Sequence, residues 1–362
     1  MPRALTLNAG EGGRPGKVYY PLQVKQVQKP KPGPNEVLVR LKAAALNHRD
    51  LWARRHLYPA LSLENPLLAD GAGVVIEAGS DVKRTELLNQ AVILAPMRGW
   101  ESDPVAPEDP FRFAVIGATL LTEDGTGQDY LAVHEDEVEL APKHLSPSEC
   151  AALPLCGLTG WRALVSKAGV TGPGKNVLVT GIGGGVALQV LQFAVAFGSN
   201  VYVTSGDRVK IDKAISMGAR AGVSYKDDGW GSALLELLPD ERPYLDAVID
   251  GAGGNLIAQV APIMRAGGVI SQYGMTVGNK MDWHMRAVLT NLELKGTTMG
   301  SRREFRDMVA FVHKHQIKPI VSKVVRGLSD LEAIETLFVE MQAGRQFGKL
   351  VIEIDDEPKA QL

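Results

Sequence analysis

The chain has 362 residues, 45% of them hydrophobic, with 39 Lys and Arg against 41 Asp and Glu for a formal net charge of −2. That length exceeds one ordinary core and suits two domains. The balanced charge gives no electrostatic reason to propose nucleic acid or an anionic membrane as partner, and two cysteines, Cys150 and Cys156, supply neither a disulfide framework nor a CxxC metal knuckle.

No apolar run reaches the roughly 18 residues of a membrane span, and the N-terminal stretch with Arg3, Asn8, Glu11 and Arg14 lacks a signal-peptide core, so a cytoplasmic location is expected. Over residues 1–150, short strands such as Glu36–Leu41, Ala72–Ala78, Ala91–Leu94 and Tyr130–Val133 are broken by Pro/Gly turns, including Lys31-Pro32-Gly33-Pro34. This texture predicts a compact antiparallel β domain. Within it, the proline-rich, acidic segment Pro96–Phe113 reads as a surface lobe or lid without a buried element.

Ser146-Pro147-Ser148-Glu149 is a capping box with proline at the first helical position, so a helix starts there. A longer helix is expected from about Leu158. Next, Lys175–Val179 is a short buried strand that breaks into Thr180-Gly181-Ile182-Gly183-Gly184-Gly185 and then a helix along which Val186, Val190, Phe193, Ala194 and Phe197 recur at helical spacing. Strand, glycine turn and helix together are the arrangement that seats a pyrophosphate on helix N-terminal amides, which makes Gly181, Gly184, Gly185 and Val186 candidate dinucleotide contacts. Ala187 stands where the usual fingerprint has its last glycine.

Five further apolar runs follow, at Val201–Thr204, Gly222–Tyr225, Ala247–Asp250, Val269–Tyr273 and Leu292–Gly296, with helical patterns between them. Continuous rather than alternating apolar strands predict burial on both faces, hence a parallel, doubly wound α/β sheet over 151–317. Ligands of such sheets bind at the carboxyl ends of strands, so Gly251, Tyr273, Gly274 and Thr298 are candidate cofactor contacts. At the end of the second strand, Ser205 stands where an acid would bind a ribose 2′-hydroxyl, and with Arg208, Lys210 and Tyr225 it is suited to a 2′-phosphate. Asp207 is then read as the N-cap of the next helix; as the ribose ligand it would favour NAD instead. The cluster Arg302, Arg303, Arg306, Lys314 reads as a solvated helix face. The final strand Phe347–Ile354 has no helix after it, and 318–362 is assigned to the first domain.

Five motifs in order, Ala45-Leu46-Asn47-His48-Arg49-Asp50, Asp70-Gly71-Ala72-Gly73-Val74-Val75, Gly125-Thr126-Gly127-Gln128-Asp129-Tyr130, Leu155-Cys156-Gly157-Leu158-Thr159-Gly160 and the glycine turn, resemble the medium-chain dehydrogenase/reductase superfamily. The closest likeness is to its zinc-free, quinone-oxidoreductase-like branch, often labelled zinc-type alcohol dehydrogenase-like. The resemblance implies a GroES-like domain joined to a Rossmann domain, a homodimer, and NADPH-dependent reduction of quinones or activated double bonds. The family's zinc ligand positions hold Asn47, Ala69 followed by Asp70, and Cys156; one thiolate does not make a catalytic zinc site, which needs about three protein ligands, so no metal is expected.

The resemblance also places Asn47 and Thr159 at the nicotinamide ribose and diphosphate, Lys349 near the cofactor, and Lys210 and Tyr225 where NADPH-using relatives have theirs. Tyr58 resembles the tyrosine that faces the substrate and would donate to its carbonyl, and Trp52 would stack on a flat quinone; a Trp and a Tyr six residues apart are more often packing residues. Asp50 is expected to fix its loop. Two other readings stay open: a zinc alcohol dehydrogenase, and an NADPH-binding protein with a structural or regulatory role.

Overall fold

The structure, a computed structural model, describes residues 1–10 and 13–354. It divides into two compact units, Met1–Leu155 with Ser301–Leu362, and Cys156–Gly300.

In the first unit the organising strand is Glu36–Ala45, ten residues almost wholly buried because both of its faces are covered. Asp70–Ala78 pairs with it antiparallel on one side and Lys349–Glu353 on the other, while Tyr130–His134 pairs with its first half. Beyond these lie Ala91–Leu94, Val138–Leu140 and Val321–Arg326. Val37, Val39, Leu41 and Ala44 share one core with Leu350 and Ile352 of the tail strand and with Ile334, Leu337 and Phe338 of the covering helix Leu331–Gln342. The register sets Ala45 opposite Asp70 and also opposite Val351, which gathers Asn47, Asp70 and Lys349 at one end of the sheet.

The segment after Pro96 departs from a wholly superficial lobe. Met97–Arg98 pairs with Ala114–Val115, and Trp100 is buried, with its indole N–H donating to the Asp103 carbonyl at 2.9 Å and its ring edge-on to Phe113. Most of the rest is exposed, Phe111 and Val105 included. Glu108 ties the loop: although desolvation favours its neutral acid, N–H groups of Ser102, Glu101 and Asp103 at 2.6, 2.8 and 2.9 Å hold the carboxyl at about 2. The basic cluster is not simply solvated either. Arg302 is paired with Glu101 and Glu137, and Arg306 with Glu139.

The second unit is a six-stranded, all-parallel sheet in the order Ala221–Ser224, Asn200–Ser205, Asn176–Val179, Leu245–Asp250, Met264–Gln272, Glu293–Gly296. Numbered along the chain this is 3-2-1-4-5-6, the Rossmann order, whose switch point lies between the first and fourth strands. Leu178, Tyr202, Val248 and Ile270 pack with Leu234, Ile257 and Val260 from the crossover segments, and Val190, Leu191 and Phe193 of helix Gly185–Ala196 are buried too. The helix expected from Leu158 begins at Pro154 and passes at Arg162 into a π-helical stretch that ends at Lys167. Among the described residues no helix is long and apolar enough to cross a membrane.

Candidate active site

On the second unit the polar features collect at the carboxyl edge. The glycine turn needs its glycines: Gly181 and Gly183 have φ of +62° and +115°, a region that side-chain-bearing residues avoid. Thr204, at the end of the neighbouring strand, fixes the turn by accepting the Gly181 and Ile182 N–H groups, through its hydroxyl at 3.3 Å and its carbonyl at 2.8 Å. No side chain among the described residues caps the helix that starts at Gly185, so its first-turn N–H groups have no side-chain acceptor. Gly184 is its N-cap, and Gly185 and Val186 open its first turn.

Two lysines, Lys210 and Lys226, lie along the strand ends on one side of the switch point. Ser205 ends its strand, and its hydroxyl accepts the Asp207 N–H at 3.1 Å. Asp207 caps the next helix through the Val209 N–H at 2.9 Å. Lys210 lies across the glycine turn: a β-carbon placed on Gly183 would sit 2.8 Å from Lys210 Cδ. Desolvation pulls the Lys210 ammonium below its ordinary pKa, with Asp207 opposing. From the third strand, Tyr225 and Lys226 cross Gly206, where a β-carbon would meet Lys226 Cε at 2.6 Å and the Tyr225 hydroxyl at 2.7 Å. Lys226 escaped the sequence reading because only the fold brings residue 226 back over residue 206. Arg208 instead pairs with Asp212 at 3.1 Å along its own exposed helix face.

On the other side of the switch point, Asp250 is fully buried and accepts from the Thr180 hydroxyl, the Gly253 N–H at 2.8 Å and the Gln272 amide at 2.6 Å. This locks the Gly251–Gly253 turn. Tyr273 rests on Gly251, where a β-carbon would strike the phenol at 2.5 Å, and Gly274 follows with its own β position 3.4 Å from the Gly251 carbonyl. Burial, with help from the Asp250 and Cys156 charges, drives the Tyr273 phenol far above its ordinary pKa. The buried Thr159 hydroxyl points to Met299 Sδ at 3.8 Å, a weak acceptor, and Thr298 is exposed beside it.

The first unit presents a different arrangement. Lys349 is buried, and its ammonium donates to Leu46 O at 2.7 Å, Asn47 Oδ1 at 2.6 Å and Asp70 Oδ2 at 2.7 Å. Three acceptors match its three N–H bonds. The Asn47 amide also donates to Asp70 Oδ2 at 2.9 Å, and Asp70 Oδ1 accepts the Leu155 N–H at 2.6 Å. Asp50 holds the start of the helix His48–Arg54 by accepting the Asn47 N–H at 2.8 Å. Burial pushes the Asp50 carboxyl upward, and Arg49 at 3.1 Å opposes it. The Arg49 guanidinium stacks 4.5 Å over the Tyr58 ring, whose hydroxyl has no hydrogen bond among the described residues. Trp52 is 37% exposed, with His48 beside it.

Residues 33–143 match the family profile described as the alcohol dehydrogenase GroES-like domain, and 185–314 the profile described as zinc-binding dehydrogenase. The chain is 55% identical over 359 residues to the zinc-type alcohol dehydrogenase-like protein YogA of Leptosphaeria maculans, covering 98% of this chain and all of that one. It is 33% identical to the zinc-type alcohol dehydrogenase-like protein C1773.06c of Schizosaccharomyces pombe, over 89% of this chain and 92% of that one. Among solved structures, an NAD-dependent alcohol dehydrogenase superposes with a TM-score of 0.83 at 31% identity, covering 98% and 100% of the two chains. A crotonyl-CoA carboxylase/reductase, at 21% identity and a TM-score of 0.85 over 99% and 89%, shares the fold. A GroES-like domain and a Rossmann sheet in one chain, joined to these matches, define an oxidoreductase. The chain belongs to the medium-chain dehydrogenase/reductase superfamily, among its zinc-type alcohol dehydrogenase-like members.

Among the described residues no three His, Cys, Asp or Glu side chains come together as a metal site. The carboxylate at the family's ligand position, Asp70, is already ion-paired with a buried ammonium.

Proposed function

We propose that this protein is an NADPH-dependent reductase that delivers hydride, without zinc, to a quinone or an α,β-unsaturated carbonyl. The observation that carries the reading is the Lys349 ammonium bound to Asn47 and Asp70, a fixed cation among the groups that would otherwise serve a metal. NADPH supplies the hydride. The residues suited to its 2′-phosphate are Ser205, Lys210, Tyr225 and Lys226, while Arg208 stays with Asp212; Gly181, Gly184, Gly185 and Val186 would take the pyrophosphate.

Toward the nicotinamide, Gly251, Tyr273, Gly274, Thr298 and Thr159 are the contacts we assign, and the weak Thr159 bond to sulfur is easily exchanged for a ribose hydroxyl. Asn47 is held rigid by Asp70 and Lys349 as a ribose contact, and Lys349 acts through it. Without a metal, the charge that develops on the substrate oxygen needs a hydrogen-bond donor. Tyr58 has an open phenol on a ring braced by Arg49 and is that donor; Trp52 offers a flat, half-exposed face to a planar substrate. The edge strand Glu293–Gly296, with exposed Trp283, Met285, Leu289 and Leu294 near it in sequence, is suited to pair with a second copy as a homodimer.

The test is a panel of quinones and enones with NADPH and NADH, run beside elemental analysis. The expected result is NADPH oxidation by metal-free protein. One tightly bound zinc per chain, lost together with alcohol oxidation, would establish the zinc dehydrogenase named for the relatives, and nucleotide binding without turnover of any acceptor would make the protein a non-catalytic binder.

A further inference from the structure

We infer that the Tyr273 phenol is a positioning residue that donates a hydrogen bond to the carboxamide oxygen of the nicotinamide. This inference rests on the dinucleotide reading of the second unit.

Tyr273 directly follows the strand Met264–Gln272, which lies beyond the switch point from the lysine-bearing strands. A dinucleotide laid across that switch point with its phosphate-rich adenosine half on Lys210 and Lys226 puts its nicotinamide half over the Asp250 and Gln272 strand ends. The Tyr273 backbone is pinned there by its N–H to the Asp250 carbonyl at 2.9 Å, and Asp250 is itself locked by Thr180, Gly253 and Gln272. The hydroxyl end of the ring sits against Gly251, where any β-carbon would clash with it. Its hydroxyl has no hydrogen-bond partner among the described residues, an unusual state for a partly buried phenol. Burial, with the Asp250 carboxylate adding to it, raises the phenol's pKa, so it keeps its proton across the working pH range and can donate. A donor held at the nicotinamide end needs an acceptor on the ligand, and the carboxamide carbonyl is the one that the cofactor carries beside its reacting ring. A hydrogen bond there fixes the ring's rotation and hence which face of C4 is presented.

The experiment is equilibrium titration of the full-length protein and its Tyr273→Phe variant with NADP+ and with 2′-phosphoadenosine diphosphate ribose, which has the same phosphates and riboses but no nicotinamide. Tyr273→Phe should weaken NADP+ about three- to tenfold and leave the fragment unchanged. Equal weakening of both ligands, or of neither, overturns the assignment. A second measurement needs no variant: the unmodified protein should bind NADP+ more tightly than thionicotinamide-NADP+, whose sulfur is a poorer acceptor, and equal affinities count against the phenol. If the unmodified protein binds neither NADP+ nor the fragment, the dinucleotide reading falls and takes the inference with it, whereas binding that is indifferent to Tyr273→Phe defeats the inference alone.

Discussion

The two ends of polar chemistry in this chain are built on opposite principles. In the first unit, Lys349, Asn47 and Asp70 satisfy one another inside the protein, so the buried charges are compensated before any ligand arrives. At the carboxyl edge of the second unit the helix N-terminus lacks a side-chain cap, and glycines let Lys210, Tyr225, Lys226 and Tyr273 lie directly against the backbone. The first arrangement defends a fold; the second waits for a ligand. A closed network should therefore show its worth in stability, and an open edge in affinity.

The largest effect expected is from Lys349→Met. It leaves the Asp70 carboxylate buried without its cation, a loss of about 3–5 kcal/mol in the free energy of unfolding, measurable by denaturant titration. Replacing Asp70 with Leu in the same chain should recover much of it, since no uncompensated charge remains. A stability unchanged by Lys349→Met would mean that the pair is not compensated as its geometry indicates.

At the open edge, Lys210→Ala should weaken NADPH by about ten- to a hundredfold, the value of a charge-assisted phosphate contact, while NADH and unfolding stay almost unmoved. Lys226→Ala should follow with a smaller loss of the same kind, and Arg208→Ala with none. Equal losses for both nucleotides would remove the 2′-phosphate from the explanation. Tyr58→Phe comes next: single-turnover hydride transfer to a quinone should slow about tenfold, with NADPH affinity preserved, if the phenol meets the developing charge. An unchanged rate would leave Tyr58 as a ring that packs under Arg49.

The smallest effect belongs to Glu108. Its carboxyl is depressed from 4.5 to about 2 by the N–H groups it accepts, so the ionised form favours the folded loop above about 4.5, and that contribution fades as pH falls toward 2. Glu108→Gln should accordingly lower the melting temperature slightly near neutrality and converge with the unmodified protein in acid. A difference that grows on acidification would carry the wrong sign.

Much of the fold is legible in the sequence because burial on both faces writes long apolar runs. The run Val201–Thr204 became Asn200–Ser205, and Ala247–Asp250 became Leu245–Asp250. The capping box at Ser146 is present with both of its bonds. What stayed hidden depends on pairing between distant segments. Trp100 lies in a stretch whose prolines and acids announce solvent, yet Phe113 and a backbone acceptor bury it. Arg302 and Arg306 looked solvated because Glu101, Glu137 and Glu139 are far away along the chain. At the site, the glycine turn and Asn47 could be picked out by motif, but the partners of Lys349 and the crossing of Gly206 by Lys226 follow from strand register, which no local pattern encodes.

The separation of 279 residues between Asp70 and Lys349 also sets an order of events during synthesis. The second unit is inserted within the first, so the nucleotide-binding sheet can be complete while the first unit still lacks Leu350, Ile352 and the ammonium that neutralises Asp70. The nascent protein thus carries an unfinished sheet until its last strand emerges, a condition that invites chaperone binding and edge-to-edge misassembly. Chains halted at Gly348 should keep a protease-resistant fragment near Cys156–Gly300 while the flanking segments are cut, and addition of the next five residues should protect both.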